Sequence, residues 1–248
     1  MSASNIIQCK KLIAKLSTGY LGEPLSFELN TGEVVSIIGT DQSSKSRWLK
    51  TLCGLQPQQS GILHINGIDT LHLSSEEWTL IRRKVSYIHA DTALLSAANG
   101  LENMMIPALY HRLDRQNNKQ SLEEKALEIL KEIDPELNLT DLPAYIPKEQ
   151  HFKIAVARAL LLEPNVMVLD DAFSRLSNES KRQFQVFLDN RIQQGLSLLI
   201  TTDDISYALA YSDKLLFAER DRLHVFDPRQ AILDSKVPVI DEYLSLNA

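Results

Sequence analysis

The stretch 33–55, EVVSIIGTDQSSKSRWLKTLCGL, decides how the chain is read. EVVSIIG (33–39) is a short apolar run rich in β-branched residues that ends in glycine, the pattern of a buried strand. SKSRWLKTLCGL (44–55) follows with helical spacing, placing Trp48, Leu49, Leu52 and Leu55 on one face. Between them, Gly39-Thr40-Asp41-Gln42-Ser43-Ser44-Lys45-Ser46 fits G-x-x-x-x-G-K-[ST] except at Ser44. In an intact loop of this kind, glycines let successive backbone N–H groups turn inward around a phosphate. The lysine reaches the β- and γ-phosphates, and the hydroxyl binds Mg²⁺. Ser44 adds a Cβ where backbone must approach phosphate closely, and Asp41 adds negative charge. Gly39, Ser43, Ser44, Lys45 and Ser46 are the candidate phosphate contacts, with Ser46 also a candidate metal ligand. On these residues alone, the stretch equally reads as a βα turn with a chance Lys-Ser.

Outward from this stretch, strands and helices alternate. Residues 6–30 read as short strands with a turn at Gly19 and Gly22, and GILHINGIDT (61–70) as a strand and turn. VSYIH (85–89) is a further strand. From about 97 to 148 the pattern is helical and more polar. Within it SLEEKALEILKEI (121–133) is amphipathic, with Ser121 and Glu124 in capping-box spacing. IAVARALLLEP (154–164) is a helix stopped by Pro164, and NVMVLDDAF (165–173) a buried strand ending in two acids. SNESKRQFQVFLDNRIQQG (177–195), LSLLITTDD (196–204) and ISYALAYSD then read as helix, strand and helix. Such alternation predicts an α/β core with a largely parallel sheet.

Composition narrows the class. The chain has 248 residues, 44% hydrophobic and 23% charged, ordinary for a globular protein. Its net charge of −6 argues against a protein whose main task is neutralising nucleic-acid phosphates. No run approaches ~18 apolar residues, the length that spans a bilayer, and the opening residues lack a secretory signal. Cys9 and Cys53 stand apart without metal-site spacing, which fits a reducing compartment. The 9 glycines fall below the usual share of about 7%.

A second group of residues adds a resemblance. Ala157-Arg158-Ala159-Leu160, Glu163-Pro164 and the strand ending in Asp170-Asp171 are similar to the ARAL…EP…LLLDEP…LD order of the ATPase subunits of ABC transporters. Residues 32–39 and 52–69 resemble that family's P-loop flanks, 81–109 its Q-loop region and 201–216 its switch region. The resemblance implies a P-loop NTPase core with an antiparallel β subdomain and an inserted α-helical subdomain. It implies one nucleotide-binding domain over 1–228, with the helical part about 92–150, and a helical tail over 229–248. It also implies ATP and Mg²⁺ as ligands and Asp170 as a metal-organising carboxylate. ALLSAANGLENMMIPAL (93–109) and DDAFSRL (170–176) are closest in phrasing to the ATPase subunits of MCE-type lipid transporters.

The chain departs from the family pattern at most of its chemical positions. The Q-loop glutamine falls at Ala90, beside His89. The LSGGQ signature falls at Ile146-Pro147-Lys148-Glu149-Gln150, where only Gln150 survives. Pro147 has neither hydroxyl nor N–H, and Glu149 brings negative charge. Asp171 stands for the catalytic glutamate, one methylene shorter, although a general base must come within about 3 Å of its water. Ala172 replaces a proline, and Ser177 the D-loop aspartate. Asp203 replaces the switch histidine and sets an anion where negative charge must be stabilised. The adenine-stacking aromatic maps near Ala14, with Tyr20 as a substitute.

These departures predict a degenerate ATP-binding subunit with weak or absent hydrolysis, coupling to or scaffolding a permease; the MCE-type resemblance implies lipid transport, with the cargo handled by partner subunits. Such a subunit sits peripherally on the cytoplasmic face of the bacterial inner membrane and pairs with itself or with another ATPase subunit. The coupling groove lies around 90–110, where Met104, Met105, Ile106 and Leu109 read equally as permease contacts and as helical core. Two rivals stand beside it: a slow but genuine transport ATPase, and a regulatory P-loop protein free of any transporter.

Overall fold

The computed structural model describes residues 5–15, 23–40, 42–113, 119–220 and 222–247. The turn read at Gly19 and Gly22, and Tyr20, lie outside these. A six-stranded sheet runs β10 (Arg222–Phe226), β9 (Lys214–Glu219), β3 (Val34–Gly39), β8 (Ser197–Thr201), β7 (Val166–Asp170), β6 (Val85–His89). All its pairings are parallel except β10 with β9. β3, β7 and β8 are buried at every position, so they read as unbroken apolar runs, as strands covered on both faces do. A second, antiparallel sheet is ordered β2 (Leu25–Asn30), β1 (Asn5–Ala14), β4 (Gln58–Ile65), β5 (Ile68–Asp69). The expected α/β architecture, parallel core plus antiparallel sheet, is what the chain forms.

Between the two sheets lies α1 (Gln42–Leu52), which buries Trp48, Leu49 and Leu52 against residues of β1, β3 and β8. Leu55 falls beyond the end of α1 and is 44% exposed, so the expected four-residue face is a three-residue one. Ala14, at the end of β1, is buried. On the other face of the parallel sheet, α3 (Gly100–Tyr110), α4 (Lys119–Ile133) and α5 (Lys148–Leu160) pack with α6 (Asn178–Gln193) in one apolar cluster. Met104 and Met105 belong to that core, whereas Leu109 and Tyr110 on the same helix are exposed. α4 begins at Lys119, which puts Ser121 inside the helix rather than at its cap. Capping boxes form instead at Ser74–Glu77, opening α2 (Ser75–Lys84), and at Asn99–Glu102, opening α3. A third cluster gathers α7 (Ile205–Tyr211), the 3₁₀ segment Arg229–Asp234 and α8 (Pro238–Asn247) around Ile38 and Phe217. Among the described residues no helix is long and apolar enough to cross a membrane.

Trp48 is the largest fully buried side chain and fixes α1 beneath the antiparallel sheet. Trp48→Ala is expected to cost about 3–5 kcal/mol of unfolding free energy, measured as a fall in the denaturation midpoint with the slope retained.

Candidate functional site

The C-terminal edge of the parallel sheet carries most of the candidate residues. Gly39 ends β3 with φ of +142°, and a Cβ there would collide with the carbonyl oxygen of Ala218 on the neighbouring strand. This glycine is therefore required by the β3–β9 pairing as much as by any ligand. α1 begins at Gln42, so only Thr40 and Asp41 separate strand from helix. Asp41 lies outside the described residues, as does the side chain of Ser43. The hydroxyl of Ser44, itself buried, donates to the carbonyl of Arg220 in the β9–β10 turn. The sequence sets Ser44 facing phosphate; the structure turns its side chain onto the protein backbone.

Lys45 is only 1% exposed, and its ammonium donates to Asp203 Oδ1. Asp203 follows β8, and its side chain is 72% exposed. The lysine of the motif and the acid at the switch position thus form an ion pair, buried at one end and wet at the other.

Beside it, Asp170 closes β7 with no exposure at all. Its Oδ1 accepts from Ser46 Oγ at 2.8 Å and from Thr201 Oγ1 at 2.8 Å. Its Oδ2 accepts from the Tyr87 hydroxyl. Burial, and then the bond to Asp170, push the Tyr87 phenol well above its ordinary value, so it remains a donor. Thr201 and Tyr87 escaped the sequence reading. Their signal was register: Thr201 pairs directly with Asp170 across parallel strands, and Tyr87 lies two residues before His89, its partner on the other side.

Asp171 lies past the strand end in the left-handed region, φ +53°. Its N–H donates to Thr201 Oγ1 at 2.8 Å. Burial first, then the charge of Asp203, raise its carboxyl above the ordinary value; the Ser174 hydroxyl and Lys45 only partly offset them. Ser46, Asp170, Asp171, Lys45 and Asp203 therefore form one constellation.

Gln150 stands apart, in the first turn of α5, with Oε1 buried and no partner among the described residues. Pro147 caps that helix without a side-chain hydrogen bond. Glu149 does not leave a free negative charge there: it accepts from Ser180 Oγ and pairs with Lys153, which also binds Asp134 at 2.7 Å. Burial pushes both carboxyls up. The Ser180 hydroxyl and Lys153 outweigh it at Glu149, as Lys153 and the Glu136 N–H do at Asp134, so both end below their ordinary values. Ala90 contributes only backbone, its N–H donating to the Asp170 carbonyl at 3.1 Å. The loop after it is held by Arg158, whose guanidinium donates to the carbonyls of Thr92 at 2.6 Å and Ala93 at 3.0 Å. Ser177 caps α6 by accepting from the Ser180 N–H.

The resemblance implies ATP and Mg²⁺. The metal corner fits: a serine hydroxyl and a carboxylate meet at Ser46–Asp170, hard oxygen donors suited to Mg²⁺. The phosphate cradle as it stands does not fit. Its lysine is already neutralised by Asp203, Ser44 is tied to Arg220, and Asp171 and Asp203 add negative charge.

Two measurements check this electrostatic picture. In Asp203→Asn, the Asp171 carboxyl is expected to titrate at lower pH by carbon NMR, since a raising charge is gone and Lys45 is released. Glu149 and Asp134 are held low, so their stabilisation is present above the ordinary values of 4.5 and 3.8 and is lost as pH falls through the folded values. Lys153→Met is therefore expected to flatten the loss of stability between about pH 5 and 3 in denaturant titrations.

Comparison with known proteins bears on the family and the fold. The family model described as ABC transporter matches residues 23–174. The lipoprotein-releasing system ATP-binding protein LolD of Buchnera aphidicola subsp. Schizaphis graminum is 30% identical over 185 residues, 74% of this chain and 79% of that protein. The probable ribonucleotide transport ATP-binding protein mkl of Mycobacterium leprae is 25% identical over 240 residues, 96% of this chain and 68% of that protein. Among solved structures, a dimer of the ATP-binding cassette MJ0796 in a post-hydrolysis state with ADP and Pi superposes with a TM-score of 0.80 at 22% identity, over 90% of this chain and 99% of that one. That last likeness concerns the fold. With the family model spanning more than half its length, the chain belongs to the ABC transporter family, among the ATP-binding subunits.

Proposed function

We propose that this chain is a degenerate ATP-binding subunit of a bacterial ABC transporter, with hydrolysis weak or absent. It keeps the Ser46–Asp170 metal corner but holds its phosphate lysine against a carboxylate of its own. The observation that carries the reading is the Lys45–Asp203 ion pair. A phosphate group binding at Lys45 must displace that carboxylate, and charge stabilisation is most of what such a site contributes to phosphoryl transfer. The signature segment is equally altered: Pro147 offers α5 no capping hydroxyl. A composite site formed with a second subunit therefore gains little from this chain.

The role left is to couple to, or scaffold, a permease at the cytoplasmic face of the inner membrane. Leu95, Leu109 and Tyr110, exposed on and near α3, provide an apolar face for that contact. Lipid is the cargo class assigned to the partner subunits. The phrasing of 93–109 and 170–176 supports it, and one relative serves a lipoprotein-releasing system.

Equilibrium titration with a fluorescent ATP analogue and Mg²⁺ tests the reading. Weak saturable binding is expected, lost in Lys45→Ala. Asp203→Asn is expected to tighten it about tenfold, worth roughly 1.4 kcal/mol. Phosphate release is expected to be no greater than that of Asp171→Asn. Sustained release that collapses in Asp171→Asn overturns the reading in favour of a slow but genuine ATPase, for which the intact Ser46–Asp170 corner speaks.

A further inference from the structure

The connector between β6 and α3, residues 90–99, is pinned along its length. Two consecutive residues in it, Thr92 and Ala93, lie in the left-handed region, with φ of +56° and +46°. Neither is glycine and Thr92 is β-branched, so the backbone is strained at both. Such a conformation persists only where the surroundings over-determine it. Here they do: the Arg158 guanidinium, on α5, donates to the carbonyls of these same two residues, at 2.6 Å and 3.0 Å. A planar fork of donors is suited to two adjacent carbonyls at once. The Thr92 N–H also donates to the His89 carbonyl at 2.8 Å.

Asn103, on α3, holds the other half. Its side chain is completely buried, and its amide turns wholly onto the connector. Oδ1 accepts the Leu95 N–H at 2.7 Å; Nδ2 donates to the carbonyls of Leu95 at 3.1 Å, Ala98 at 2.8 Å and Asn99 at 3.1 Å. Both backbone groups of Leu95 are therefore held by one side chain, while the Leu95 side chain itself is 56% exposed. The ends are fixed as well. The Ala90 N–H donates to the Asp170 carbonyl at 3.1 Å, and the Leu101 N–H to the Leu139 carbonyl at 3.2 Å. A Cβ on Gly100 would come within 2.9 Å of the Leu139 Cα, so α3 starts in close contact with 138–139. α5, which carries Arg158, is bound to α6 through Glu149 and Ser180.

We propose that residues 90–99 form a rigid strut, locked by Arg158 and Asn103, which joins α3, α4 and α5 to the parallel sheet as one body. Arg158 and Asn103 are then positioning residues for the apolar face of Leu95, Leu109 and Tyr110. A partner with an apolar cytoplasmic segment meets that face already ordered, so little conformational entropy is lost on contact. The strut deepens the scaffold reading above and rests on it for its role.

Hydrogen exchange on the full chain tests it. The Thr92 and Leu95 amides are expected to exchange as slowly as those of β7. Arg158→Met is expected to speed both at least tenfold, and Asn103→Ala to speed Leu95 about a hundredfold, with β7 and β8 unchanged in each variant. Exchange of Thr92 and Leu95 in the unaltered chain at the rate of an unprotected loop overturns the strut, as does Arg158→Met leaving both unchanged. Where a variant fails to fold, spin labels at the exposed positions Glu76→Cys and Glu124→Cys decide: one narrow distance distribution is expected, and a second population overturns the strut. None of these readouts uses nucleotide. A mobile connector leaves the ATP-binding reading standing, and loss of that reading leaves the strut standing.

Discussion

The carboxylate of Asp170 is the constraint around which the site is arranged. It is entirely buried at the end of a central strand, where an unsatisfied charge would be very costly. Hydroxyls from three elements answer it: Ser46 on α1, Thr201 on β8 and Tyr87 on β6. That bonding fixes the helix of the phosphate loop against the sheet, and sets the strand ends level with one another. The Thr201 hydroxyl also receives the N–H of Asp171, so the left-handed turn after β7 is stabilised by the same cluster. Neutral donors supply all of these contacts. The corner is consequently able to exchange them for a cation without leaving a charge stranded.

Lys45 is satisfied differently. It has lost nearly all contact with water, so it needs an anion in every state of the protein. Where the family resemblance expects that anion to be a phosphate, this chain provides Asp203. The substitution at the switch position and the retention of the lysine are thus one adaptation rather than two separate facts. A lysine without Asp203 would be a buried, uncompensated charge whenever nucleotide is absent. Asp203 without the lysine would be an exposed, unpaired acid that still repels the Asp171 carboxylate.

Much of this was legible in the sequence. The runs VVSIIG and VMVLD read as core strands because parallel strands covered on both faces need no polar alternation. The pairing of Ser46 with Asp170 followed from motif spacing and resemblance. What stayed hidden depends on residues brought together across long stretches of chain. Lys45 and Asp203 lie 158 positions apart, and Ser44 and Arg220 176 apart. Reading Glu149 as a charge opposing phosphate ignored Lys153 one turn along the same helix and Asp134 beyond it. The misplaced cap at Ser121 has a local cause: α4 starts two residues earlier, and a serine inside a helix matches a cap in spacing alone.

The contrast between a well-patterned scaffold and altered chemistry then has a physical basis. Strand runs, the Trp48 anchor and the Asp170 cluster are each required for the sheet and α1 to hold together, whether or not a ligand arrives. Several of the positions that diverge, Ser44, Glu149 and Asp203 among them, find partners within the fold. Ser44 takes a backbone carbonyl, Glu149 a lysine and Asp203 the motif lysine. These three side chains are satisfied within the chain itself, so the fold carries them without a structural penalty. A phosphate arriving at Lys45 would have to take the place of the Asp203 carboxylate, the internal bond that faces the loop.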